Sequence, residues 1–333
     1  MILAAFIGVF AFINADKLID RFIEGQSEGS QQRLDLLEAP GMSLITVGTA
    51  APLPGDRSQS CNAIFVNGQF LVFDLGRGAA GAIEKLRLPQ QSVSAVFISH
   101  WHSDHYLDLP HFVNRSWMLG RKSPLNIYGP NPIDSILGGM QAFLYQDQTF
   151  REEHHGKSIL DRSAAPVIPN LINLQGTEEQ EIYNNNGVKV FAFQVNHDPI
   201  DHSLGFRIEY GGRNIVLSGD TKKSDQLIRY AKGADILVHE AMQKDFISRA
   251  SALQEKQGNV RNATILKDIV DYHSSPEDAA AVAAAAGAKK LILSHLAPTP
   301  ENPISRRFYT RGLEDIYDGP ILLAEDGDLY TIE

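Results

Sequence analysis

Residues 100–105 read HWHSDH and follow directly on the apolar run SAVFIS. This stretch constrains the fold more than any other, because burying three imidazoles and a carboxylate without partners costs on the order of 1–3 kcal/mol each. The rest of the chain must bring something to them. His100 and His102 alternate along extended backbone and so point the same way, giving two nitrogen donors to one cation. After a turn, Asp104 and His105 can face a second. Other apolar runs end on the same residue types: VFAFQV near His197, NIVLSG at Asp220, ADILV at His239 and Glu240, LILS at His295. Strand ends are where α/β sheets build ligand sites, since the strands fix positions while the loops stay open to solvent. His197 can complete the first donor set and His295 the second, and Asp220 has two carboxylate oxygens with which to bridge them. With Cys61 as the one cysteine, metal chemistry falls to imidazole and carboxylate, which suit zinc, with manganese or iron as other fits. Cations roughly 3.5–4 Å apart would hold an acidified water and neutralise charge on an attacked phosphorus, sulfur or carbonyl centre.

Around this centre the chain reads as one large α/β domain or two smaller ones: 333 residues, 43% hydrophobic, are enough for a sizeable core. Strand-like runs include MSLITVGT, AIFVNGQFLVFDLG with Asn67-Gly68 at its turn, LNIYG, GFRIEYGGRNIVLSG, KKLILSH and PILLAEDGDLYTIE. Helical patterns lie between them, notably SPEDAAAVAAAAGA, with Ser275 as N-cap, Pro276 in the first turn and Gly287 closing it. Hairpins among the strands imply mixed sheets. Residues 1–25 form an apolar then amphipathic pattern with Leu18, Ile19, Phe22 and Ile23 on one face, and residues 26–42 read as a linker before the main domain at 43–333. The apolar part is too short to span a bilayer of roughly 30 Å. It is read as an export or anchoring element, implying a periplasmic or membrane-anchored protein. The alternative is a helix that pairs two subunits into a homodimer, in a cytoplasmic protein. A net charge of −10 argues against a polyanionic partner, so nucleic acid is not expected. Lone histidines are ordinarily hydrogen-bonded or exposed, and His111, His154, His155 and His202 are read so.

HWHSDH resembles the HxHxDH signature of the metallo-β-lactamase-fold hydrolases. In order and content, GTAAPLPGDRSQSCNAIFV, FDLGRGA, LSGDT, LVHEA, YHSSPEDAA and LILSHLAP are similar to the ribonuclease Z branch, which also has arylsulfatase-like and cyclic-phosphodiesterase-like members. The resemblance covers about residues 43–333. It implies an α/β fold, a four-layer αββα sandwich with two Zn2+ in a cleft at one edge. Carried over by position, His100, His102 and His197 bind one zinc, Asp104, His105 and His295 the other, and Asp220 bridges. Asp104 would also take a proton from the bridging water. His273 matches the histidine that protonates the leaving oxygen, and Glu240 the residue that orients it.

One departure shapes the functional expectation. Ribonuclease Z enzymes carry a protruding tRNA-gripping arm between the third histidine ligand and the bridging aspartate, whereas here a bare hairpin with Gly211-Gly212 at its turn joins His197 to Asp220. The expectation is therefore a hydrolase of small phosphate or sulfate esters, phosphodiesterase or arylsulfatase in type. Lactone or β-lactam hydrolysis, tRNA 3′-processing, and a non-catalytic metal-stabilised module are the alternatives. Residues 138–166 are extra sequence, whose Phe143, Tyr145 and Phe150 would form a lid or pocket wall over the metals, or else a surface excursion or subunit contact. Arg57 is a contact for an anionic substituent or a surface ion pair.

Overall fold

The computed structural model describes residues 31–333 except 177, preceded by Lys17, Ile19, Asp20, Arg21 and Ile23, which are helical and exposed. Apart from those five, the export, anchoring and dimerisation readings of residues 1–25 lie outside the described residues. Among the described residues no helix is long and apolar enough to cross a membrane.

Fourteen strands are named in chain order: β1 (Met42–Gly48), β2 (Cys61–Val66), β3 (Gln69–Phe73), β4 (Val93–Phe97), β5 (Leu125–Gly129), β6 (Val167–Leu171), β7 (Gln180–Asn185), β8 (Val188–Gln194), β9 (Leu204–Tyr210), β10 (Arg213–Leu217), β11 (Ile236–Met242), β12 (Leu291–Ala297), β13 (Ile321–Leu323) and β14 (Asp328–Ile332). They form two mixed seven-stranded sheets, ordered β14-β1-β2-β3-β4-β5-β6 and β13-β12-β11-β10-β9-β8-β7. The helices are α1 (Asp35–Glu38), α2 (Ala79–Lys85), α3 (Ser103–Tyr106), α4 (Leu109–Met118), α5 (Ile133–His155), α6 (Asp225–Tyr230), α7 (Lys244–Lys256), α8 (Val260–Ile269), α9 (Pro276–Ala286) and α10 (Pro303–Thr310). The two sheets pack face to face with helices outside, the αββα sandwich expected.

That layering explains why the central strands read as continuous apolar runs. Every residue of β1, β2, β3, β11 and β12 is buried, because one face meets the other sheet and the opposite face meets helices. Between the sheets, Leu44, Phe73 and Phe97 meet Val190, Phe206 and Ile215, with Phe73 and Phe97 stacked at 4.8 Å. Under the helices, Ile83, Phe112 and Val113 cover the first sheet, and Ala279, Val282 and Ala283 of α9 cover the second. Alanines at those positions let α9 lie close on the sheet, and its ends are built as read: the Ser275 hydroxyl accepts from the Asp278 amide in a capping box, and Gly287 closes the helix in the left-handed region.

Three expectations change. PILLAEDGDLYTIE is not one strand: β13 pairs with β12 and β14 with β1, so the chain crosses from one sheet to the other at Asp326-Gly327. Periodicity cannot register such a crossing, because both halves are equally β-prone. The linker is shorter than 26–42, since Leu36 of α1 is buried and Met42 already belongs to β1. The 138–166 segment mostly belongs to α5, a 23-residue helix that packs Leu137, Met140 and Leu144 on the first sheet. Its Phe143, Tyr145 and Phe150 stay 76%, 57% and 61% exposed. None of the three lines the cleft by the histidines, so the wall reading fails.

Candidate metal centre

Extended backbone carries β4 past Ser99 through His100 and His102, so these two side chains project together while Trp101 turns away and donates its indole N–H to the Pro130 carbonyl at 2.9 Å. The chain then winds into α3, which presents Asp104 and His105 on its first turn. β8 ends toward His197, β10 delivers Asp220 after Gly219, and β12 delivers His295. The donor atoms of His100, His102 and His197 lie within 4.8 Å of one another, as do those of Asp104, His105, Asp220 and His295. All seven sequence-predicted ligands are thus brought together in two groups. His111, His154, His155 and His202 are exposed and belong to neither group.

Within the first group, His100 Nε2 and His197 Nε2 stand 2.9 and 3.3 Å from His102 Nδ1. Three nitrogens bound at about 2.0–2.1 Å around a tetrahedral zinc would be spaced about 3.3 Å apart. His197 donates Nδ1–H to the Tyr272 carbonyl at 3.0 Å, which leaves Nε2 with its lone pair toward the group. Burial lowers the pKa of all three rings, His100 furthest. They are neutral imidazoles at neutral pH, the form that ligates a cation.

In the second group, His105 Nδ1 donates to Asp74 Oδ2 at 2.8 Å. Its Nε2 is buried without a hydrogen-bond partner, 3.2 Å from Asp220 Oδ2 and 3.5 Å from Asp104 Oδ2. Two buried carboxylate oxygens this close to Nε2 call for a positive charge among them, carried by a proton on the ring or by a cation in its place, and the donor set of imidazole and carboxylate fits a cation. Asp220 Oδ2 is central: it lies 3.5 Å from His295 Nε2 and 3.9 Å from both His100 Nε2 and His197 Nε2. Burial would raise the Asp220 pKa, but the His295, His105 and His273 rings outweigh it and hold the carboxyl well below its usual range. Asp104 is held low in the same way, by His105 and His295 against burial.

His273 and Glu240 stand beside the cluster. Glu240 Oε1 and Oε2 accept from His273 Nδ1 at 3.0 and 2.9 Å, and Glu240 Oε1 also accepts the Thr221 amide at 2.6 Å. Burial lowers the His273 pKa, yet the charge and hydrogen bonds of Glu240, with Asp220 and Asp104 beyond, push it up to about 9.

Two sets of residues escaped the sequence reading. Asp74, in the quoted FDLG, accepts from the Ser99 amide and hydroxyl at 2.8 Å each as well as from His105, and so ties the metal loop to β3. Its signal was the one used elsewhere, a carboxylate ending an apolar strand. The second set is on helix α8 and just after it: Ile265, Ile269 and the following Tyr272 line the cleft with Leu53 and Met242, and nothing in a generic helical pattern places them there. Arg57 pairs with Glu325 at 4.0 Å, the surface ion pair expected, and its guanidinium also donates to the Ala324 carbonyl at 2.7 Å and the Pro300 carbonyl at 3.2 Å, fastening loops.

The family model described as "Beta-lactamase superfamily domain" matches residues 72–296. A Ribonuclease Z of Mycobacterium marinum is 31% identical over 261 residues, 77% of this chain and 87% of the relative. Among solved structures, the metallo-β-lactamase fold protein YhfI from Bacillus subtilis aligns with a TM-score of 0.61 at 18% identity, covering 88% of this chain and all of the other. Human tRNase Z, short form, aligns at 0.60 and 21%, covering 87% and 99%. Relatives named as ribonucleases overturn two expectations, that nucleic acid is no partner and that a small ester is the substrate. The physical error lay in net charge: a sum over the whole surface says little about one cleft, where cations held by the donors would set the local sign. By the matched domain and the extent of this identity, the chain belongs to the metallo-β-lactamase superfamily of hydrolases, in its ribonuclease Z-like branch.

Proposed function

We propose that the chain is a phosphodiesterase that uses two divalent cations, zinc by donor type, to cleave RNA near a 3′ end, the tRNA 3′-processing reaction included. The observation that carries this reading is the His273–Glu240 pair beside the donor cluster, in a chain so similar to a ribonuclease Z. His100, His102 and His197 would hold one cation, Asp104, His105 and His295 the other, and Asp220 reaches both groups. Bound there, the cations supply Lewis acidity and an acidified water for attack at phosphorus.

The chain's own groups do the rest. Asp104, kept ionised, is placed to accept the attacking water's proton. His273 is fixed through Nδ1 on Glu240, which leaves Nε2 to protonate the departing oxygen, and the carboxylate keeps the ring charged for that task. The tight β9–β10 turn at Gly211-Gly212 offers no projecting arm. Recognition is accordingly placed at the cleft, on a single-stranded end.

The test is turnover of a precursor tRNA with a 3′ trailer, a single-stranded oligoribonucleotide, an aryl sulfate and a lactone, each with zinc, with manganese and with chelator. Metal-dependent RNA cleavage is expected. Hydrolysis of the sulfate or the lactone with intact RNA would overturn the reading.

A further inference from the structure

The cleft at the donors, about 290 Å3, has two unlike ends. One holds His102, Asp104, Asp220 and His273. The other is a wall of Leu53, Met242, Ile265, Ile269 and Tyr272, supplied largely by α8 and the segment that follows. On α8, Leu266 and Ile269 turn inward onto the small cluster of Ala51, Met242, Ile247 and Ala297 that seats the hairpin. Ile265 is left 49% exposed at the mouth of the cleft. The wall begins where the donors end, because the Tyr272 ring stands edge-on to His197 at 5.0 Å and tilted against His273 at 5.0 Å.

We propose that this wall is a subsite for the nucleobase next to the scissile phosphodiester, which makes α8 and the Tyr272 segment the element that selects nucleotide substrates. The proposal rests on the phosphodiesterase reading. A phosphorus seated at the donors carries its nucleoside into the same cleft, and the apolar end is the covered surface within its reach. The size suits one nucleoside, being at the low end of ligand pockets, which run from about 300 Å3 upward. No charged side chain lines that end, so the base is held by aliphatic contact and an aromatic ring. Such contact senses that a base is present more than which base it is.

Calorimetric titration of the zinc-supplemented protein with adenosine 5′-monophosphate and with ribose 5-phosphate isolates the base, the one difference between them. The nucleotide is expected to bind about tenfold tighter, as stacking on a protein wall allows. Ile265→Asp should bring the two within about threefold, and Ile265→Leu should keep them apart. Ile265→Ala, with an intermediate ratio, serves if aspartate disturbs the hairpin. The kcat/KM ratio of thymidine 5′-(p-nitrophenyl phosphate) to methyl p-nitrophenyl phosphate, which share a leaving group, should move in parallel. Equal binding of the two ligands by the unaltered protein, or a ratio that survives both Ile265→Asp and Tyr272→Ala, overturns the subsite. Base-dependent binding with RNA left uncut sustains the subsite and removes the RNA-cleaving role. RNA cleavage with base-independent binding does the reverse.

Discussion

His273 shows how far one side chain's chemistry is set by a neighbour it cannot choose from sequence alone. Its pKa of about 9 in the fold exceeds the ordinary 6.5 because Glu240 grips Nδ1. The stability this pair contributes is complete below about 6.5 and is lost as the pH rises through about 9. If protonated His273 is the acid, kcat/KM should fall along a basic limb near pH 9, and Glu240→Gln should move that limb to lower pH. A limb that does not move removes Glu240 from the mechanism. His273→Ala should lower kcat about 10²–10⁴-fold with metal content unchanged, which parallel kinetics and metal analysis would check. Asp74 belongs to the same scale. It holds His105 from behind, so Asp74→Ala should weaken metal affinity about 10–100-fold, measured by competition with a chromogenic chelator. Unchanged affinity would mean that His105 needs no such support.

At the scale of elements, the loops that carry donors are pressed against their neighbours. A Cβ on Gly76 would fall 2.0 Å from the Asp104 carbonyl oxygen, which is backbone and cannot step aside. Gly76→Ala should therefore displace the 100–105 loop, and the purified variant should retain less than half of its metal. Full metal content would show the loop to be more yielding than this contact implies. β12 makes the opposite use of irregularity. Its pairing with β11 runs from Glu240–Ser294 to Ala241–Leu296, so His295 is the residue left over, bulged and at φ +48°. The bulge re-aims its ring at Asp104, 3.1 Å away. LILSH reads as a strand and is one, though β12 runs on past His295 to Ala297, and alternation along the strand cannot by itself say which way a bulged residue points.

For the whole molecule, the donor cluster joins both sheets: His100, His102, Asp104 and His105 follow β4 of one, while His197, Asp220 and His295 come from the other. Cations held across that seam would bind the folded chain and not the unfolded one. At a hundredfold excess over Kd each should add about 2.7 kcal/mol, or about 4 °C in Tm. Thermal scans with and without chelator would measure this, and coincident transitions would argue against occupancy. The sequence by itself determined a mixed α/β class, the seven candidate donors and the capped α9, because each is written in local signals: apolar runs, strand-end histidines and aspartates, a Ser-Pro start and a Gly stop; the αββα sandwich came from the resemblance of its motifs to a known family. Only the tertiary structure decided that PILLAEDGDLYTIE divides between two sheets, that α5 turns its aromatics to solvent, and that α8 walls the cleft. The physical reason is that periodicity reports which face of an element is buried and not what buries it. That partner is chosen by packing between segments distant in the chain.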